Sequence, residues 1–291
     1  MIYYILVFLA AFGYALNFAV TKLYQLSEGN NLDAGVVFNC LVGLAGTVIY
    51  FAICGFKVEV TTFSVVLSFL MTVFVGLYTI IGFKIMSLGS MAVYTVFLML
   101  GGMILPYFYG LLFLNEEITV AKVIAMMLMT FAIILQNSGD DGKRGKAVFY
   151  ILCIAVFILN GAVSVVSKVH QSYPQYESVS NNGFVLLNNL MRFLLFGTMI
   201  PFIRKQGTKM LNIKPKMYAV IIASAVISSV ASFFQLVGAS YLPASIQFPV
   251  ISGGTIVFTA LMGFLFFKEC INKRQMLSLG ICVISTILFV A

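Results

Sequence analysis

Long apolar runs broken by short polar stretches organise the chain from end to end. Residues 147–166 hold no Asp, Glu, Lys or Arg, and about twenty such residues make a helix long enough to cross roughly 30 Å of hydrocarbon. The pattern predicts ten of these helices, at 2–24, 33–54, 61–86, 91–114, 119–136, 147–170, 181–203, 217–241, 243–267 and 272–291. Between them lie polar breaks such as Ser27-Glu28-Gly29-Asn30-Asn31 and Asn115-Glu116-Glu117. The most polar break, 138–146, falls near mid-chain and separates a first set of five (1–137) from a second (147–291). A membrane barrel would show alternating segments of about ten residues instead, so the expected fold is an all-α membrane protein.

Composition agrees. Hydrophobic residues make up 62% of the 291 and charged residues 9%, with a mean hydropathy of +1.07. That leaves too little polar surface to cover a water-soluble globule, whose charged share is roughly 25%. The net charge of +8 therefore reads as basic loops beside a membrane rather than a nucleic-acid surface. The five cysteines, Cys40, Cys54, Cys153, Cys270 and Cys282, are scattered without metal-ligand spacing. Residues 2–20 lack a basic start and a small-residue cleavage site, so they read as a first membrane helix and not as a signal peptide.

The two sets of five share a pattern. An offset of 153 carries Gly101, Gly110, Leu112, Phe113, Glu116 and Ile118 onto Gly254, Gly263, Leu265, Phe266, Glu269 and Ile271. A second echo aligns Leu16-Asn17 with Leu159-Asn160. Because five is odd, a second copy must lie upside down in the bilayer, giving two inverted five-helix repeats, a plan common among secondary transporters. On the Gly110…Glu116 and Gly263…Glu269 closing motif, the length and the 5+5 plan, the chain resembles the EamA type of the drug/metabolite transporter superfamily. The resemblance implies two bundles around a central cavity and transport by alternating access. It also implies an arginine in helices two and seven; Arg192 matches, whereas the region of Asn39 to Gly43 has none.

The nine acidic residues all fall in predicted loops or at helix ends. Proton-coupled export of cations depends on a carboxylate inside the membrane, and none is offered. The interior charge is instead Arg192, mid-way along the seventh helix. Such an arginine faces the bundle interior or a wet cavity, either to hold a carboxylate or phosphate or to brace a neighbouring helix through its carbonyls. Lys84, near a helix end, is a further expected substrate contact, its competing reading being that it snorkels to the interface. Asn188 and Asn189 share Arg192's side of its helix. With Asn17, Asn160, Tyr94 and Gln247 they complete the expected substrate contacts, each also able to serve as an interhelical hydrogen bond. Tyr78, Asn39 and Gln235 are further polar residues of the same interior. Glu116 and Glu269 are expected to order the turns near the starts of helices five and ten, and His170 is a weak proton-relay candidate. No phosphate loop, metal cluster or nucleophile set occurs in the sequence.

Basic residues divide unevenly among the predicted loops: twelve in odd-numbered loops against Lys57, Lys122 and Lys168 in even ones. The positive-inside rule then puts odd loops in the cytoplasm and both termini outside, whereas the family resemblance implies cytoplasmic termini. The charge count is preferred here for orientation. The expected protein is a multi-pass secondary transporter of the cell membrane, of bacterial type, moving an amino-acid-like, anionic or zwitterionic metabolite without a cofactor. Its expected partners are that small molecule and the lipid bilayer, with no nucleic acid. A multidrug or lipid-headgroup exporter on the same fold is the alternative, and an intramembrane enzyme a remote one.

Overall fold

The computed structural model describes residues 2–29, 31–88, 91–137, 147–173, 175–205, 213–268 and 272–290. The side chains of 83, 84, 86–88, 91–95, 136, 137 and 203–205 lie outside that description. Ten helices account for nearly all of it: α1 (Ile2–Glu28), α2 (Leu32–Ile53), α3 (Thr62–Leu88), α4 (Met91–Phe113), α5 (Val120–Asn137), α6 (Ala147–Ser172), α7 (Asn181–Lys205), α8 (Pro215–Tyr241), α9 (Ala244–Phe267) and α10 (Lys273–Val290). Among the described residues there are no strands, and nine helices are long and apolar enough to span a bilayer. The apolar part of α5, Val120–Leu135, is shorter. The chain is a multi-pass integral membrane protein. In lipid the backbone must bond to itself, and that demand keeps α4, α7 and α9 helical through Pro106, Pro201 and Pro249.

Helix ends are set by local chemistry rather than by the edge of the apolar run. α1 continues to Glu28 and stops where Gly29 takes φ +99°, a left-handed conformation open to glycine. Asn31 caps α2 through a bond from the Ala34 N–H (2.9 Å). Pro215 opens α8 in the first turn, where its missing N–H costs nothing.

Packing joins the two sets of five. α1 lies on α8 and α9, α6 on α3 and α4, and α2 on α7, α4 on α9 and α5 on α10. Exchanging the first five helices for the second maps these pairs onto one another. At atomic detail Ser278 Oγ donates to the Ala132 carbonyl (2.7 Å) and Ser285 Oγ to that of Ala125 (2.6 Å). The offset of 153 interconverts these two pairs of positions. It also relates Asn115 (φ 50°) to Lys268 (φ 53°), the left-handed residues after α4 and α9. All this is consistent with an inverted repeat. One buried cluster, including Val7, Met103, Met129, Val250 and Phe289, joins α1, α4, α5, α9 and α10. Another, including Tyr50, Leu67, Phe184 and Leu236, joins α2, α3, α6, α7 and α8. Outside them, large apolar side chains such as Leu112, Val120 and Ile284 are exposed, as lipid requires.

Candidate functional site

α2 and α7 cross closely and run antiparallel, because glycines remove the side chains that would hold them apart. A Cβ on Gly43 would lie 2.6 Å from the backbone nitrogen of Phe193, and one on Gly46 would overlap the Asn189 amide. This approach brings Asn39 onto Arg192. Both Nε–H (3.1 Å) and Nη2–H of Arg192 donate to Asn39 Oδ1, and Asn39 Nδ2 donates to the Gly35 carbonyl (2.7 Å). Arg192 is 153 residues beyond Asn39, and Cys40 faces Phe193 at the same separation. Equivalent positions of the two halves thus meet here. Among the described residues no carboxylate pairs with Arg192, and Tyr78 of α3 is near enough to interact with it electrostatically.

Tyr78 is also near enough to Tyr14 of α1 to interact with it electrostatically. The Tyr14 hydroxyl donates to Gln235 Oε1 and lies 3.4 Å from Ser232 Oγ. Gln235 Nε2 sits 3.5 Å from Ser167 Oγ, and its backbone carbonyl accepts from Gln247 Nε2 (2.6 Å). Gln247 is fully buried, and its Oε1 has no partner. Hydrogen bonds therefore link Tyr14 through Gln235 to Gln247, and Tyr78 lies within electrostatic reach of both Tyr14 and Arg192.

The remaining expected contacts are tied up between helices. Asn17 Oδ1 accepts from Ser224 Oγ (2.6 Å), and Asn160 Nδ2 donates to the Leu98 carbonyl (2.7 Å). Asn188 Oδ1 accepts from Ser68 Oγ (2.9 Å). Asn189 Nδ2 donates to the Val185 carbonyl (2.9 Å) and to Ser229 Oγ (3.0 Å). None of these bonds reaches Arg192. The side chains of Lys84 and Tyr94 lie outside the described residues.

A second polar group closes the end of the bundle formed by the even-numbered connections. Glu116 accepts the N–H groups of Ala244 (2.6 Å) and Ser245 (2.8 Å) and so caps α9, not α5 as its place in the chain suggests. α9 has no cap of its own because Pro243 occupies the N-cap. Glu269 lies outside the described residues. Lys168, assigned above to a loop, is buried within α6, and its Nζ donates to the carbonyls of Ala239 and Leu242 (both 2.7 Å). An ammonium thus meets the negative end of α8 while a carboxylate meets the positive end of α9. His170 is buried against Phe184 (ring centroids 3.7 Å) with Nε2 2.9 Å from Ser64 Oγ. Among the described residues no three His, Cys, Asp or Glu side chains gather as metal ligands.

The fold is that of a solved crystal structure with a TM-score of 0.78 over 98% of this chain and 98% of that one, at 12% identity. No curated protein matches the sequence. Residues 147–291 match the model of the EamA-like transporter family. The second half of the chain belongs to that family, within the drug/metabolite transporter superfamily. In this EamA-like chain the matched half carries Arg192, Lys168 and Gln247. Asn39, Tyr14, Tyr78 and Glu116 come from the other half: Asn39 bonds Arg192, Tyr14 bonds Gln235 and Glu116 bonds the start of α9.

Proposed function

We propose that the chain is a secondary transporter which moves a small anionic or zwitterionic metabolite across the cell membrane by alternating access. Residues 1–137 and 147–291 would act as its two inverted five-helix units, joined through 138–146. The observation that carries this reading is the unneutralised Arg192. Placing an arginine at mid-membrane costs about 2.5–3.5 kcal/mol on insertion scales, yet among the described residues its bonds go to a neutral amide. A substrate carboxylate or phosphate supplies the missing charge. Tyr14, Tyr78, Gln235 and Gln247 would form the polar wall along which the solute passes. Asn17, Asn160, Asn188 and Asn189, being engaged between helices, are assigned to holding the bundle. The absence of acidic residues from the predicted membrane interior supports facilitated transport or exchange over proton-coupled export of cations. No catalytic role is proposed.

Purified protein reconstituted in liposomes tests the reading. Amino acids, monocarboxylates and phosphate esters are screened for thermal stabilisation, then for uptake. A stabilising anion whose effect disappears in Arg192→Ala supports it. Uptake of organic cations driven by a pH gradient, unchanged in Arg192→Ala, overturns it.

A further inference from the structure

A guanidinium offers five N–H donors in a plane, arranged as two forks. The fork made by Nε–H and one Nη2–H closes on a single oxygen, Asn39 Oδ1. Asn39 cannot turn its amide to face Arg192 with the nitrogen, because Nδ2 is held by the Gly35 carbonyl one turn earlier. The second fork, Nη1–H with the other Nη2–H, carries no bond from any described residue and stays whole. Two parallel N–H groups suit a planar acceptor with two oxygens.

We infer that Asn39 is a positioning residue which occupies the Nε/Nη2 edge of Arg192 and reserves its Nη1/Nη2 edge for one carboxylate of the transported solute. This rests on the anion reading above and narrows it. One open fork beside one cation matches a singly charged carboxylate. A dianionic phosphate would bring an uncompensated charge into the membrane interior. Among the described residues the buried ammonium of Lys168 is committed to the end of α8 and does not supply the balance. Asn39 is also the position at which the arginine expected in α2 is missing. Here it is a neutral acceptor that orients the remaining arginine without discharging it.

The test compares wild type with Asn39→Asp, Asn39→Ala and Arg192→Ala, using acetate, benzoate, glutamate and inorganic phosphate in thermal-shift titrations. Asn39→Asp places a carboxylate on the occupied edge and turns Arg192 into an internal ion pair. The carboxylate that stabilises wild type then loses about tenfold or more in affinity, about 1.4 kcal/mol. Asn39→Ala frees both forks, and the preference for that carboxylate over phosphate falls by about tenfold. A merely structural role for Asn39 would lower the melting temperature without changing the ratio between anions. If both variants keep the wild-type ratio and affinity, Asn39 does not position Arg192, while the anion reading stands. If Asn39→Asp does not fold, the ratio in Asn39→Ala decides alone. If none of these anions distinguishes wild type from Arg192→Ala, the anion reading fails and this inference with it.

Discussion

At the scale of single residues, the Gly110…Glu116 spacing has a mechanical meaning. A Cβ on Gly110 would lie 2.6 Å from Glu116 Oε2. The glycine makes room for a carboxylate folded back over the end of α4, where the Glu116 N–H bonds the Gly110 carbonyl (3.1 Å). From there the carboxylate reaches two backbone N–H groups of α9 that have no other acceptor. Bonds to a charged acceptor are worth about 1.5–3 kcal/mol each, so Glu116→Ala should lower stability by about 2–4 kcal/mol. Gly110→Ala should cost a similar amount, because a methyl group there pushes the carboxylate off α9. Calorimetric unfolding in detergent checks both. If their losses add fully in the double variant, the two residues do not share one function. The motif itself was legible in the sequence, but its partner was not: Ala244 is 128 residues further on, and nothing local to Glu116 points to it. Arg192 stood out as a charge in an apolar run, whereas Asn39 emerged as its partner only once the glycines had pressed α2 onto α7.

Elements were legible where hydropathy could mark them, and less so at their ends. The ten apolar runs became ten helices, but α1 runs on to Glu28 and α6 to Ser172, beyond the expected 24 and 170. Hydropathy reports the thickness of lipid, while a helix stops where its backbone is capped. Close helix contacts are likewise a matter of element packing. A Cβ on Gly101 of α4 would run into the backbone carbonyl of Phe157 on α6, and one on Gly161 would lie 2.7 Å from the carbonyl of Gly101. Backbone cannot yield as a side chain can. Gly101→Ala should therefore cost about 1–3 kcal/mol or more through overpacking, seen as a lower melting temperature with the helix content unchanged. α7 starts on a borrowed cap. The Ser180 N–H donates to Glu59 Oε2 (2.8 Å), while Ser180 Oγ accepts from Gly183 (3.2 Å). This is a capping box whose acid comes from the α2–α3 connection. Hydrogen bonds from Ser180 hold the Glu59 carboxyl below its usual 4.5. With the folded value depressed, the cap is fully formed above the unfolded pKa and is lost as pH falls through the folded one. Backbone exchange in the first turn of α7 should rise below pH 4.5, and Glu59→Gln should remove that step. A rise of equal size in the Gln variant would assign it to another group.

At the scale of the whole molecule, the unequal ends of the bundle bear on orientation. Lys168 leaves the loop count because it is buried in α6 and bonded to α8, so Lys57, in the α2–α3 connection, and Lys122, in the first turn of α5, are the basic residues left at the even-numbered end among the described residues. On the odd side Lys214 bonds Ser27 (Oγ, 3.2 Å) and Lys22 lies over the Phe267 ring (4.4 Å), close to the ends of α1 and α9. The rule counts Lys and Arg near helix ends and gives little weight to acids, so removing Lys168 steepens the bias toward a cytoplasmic odd side. On that rule the even side is expected to face outward. It is also the side where the described connections are knitted together, through Glu59 to Ser180, Glu116 to Ala244, Tyr109 to Tyr173 (2.9 Å) and Gln171 to Ser240 (2.8 Å). Under the proposed alternating access and that orientation, this arrangement would correspond to an outer end bonded shut. A single experiment addresses the orientation. With Cys54 and Cys270 replaced by Ala, a membrane-impermeant maleimide applied to intact cells should label Lys57→Cys and Glu117→Cys but leave Lys216→Cys untouched. Labelling of Lys216→Cys alone would put the termini in the cytoplasm, as the family resemblance implies. The basic loops would then lie outside, against the positive-inside rule, and the knitted end would be the inner one.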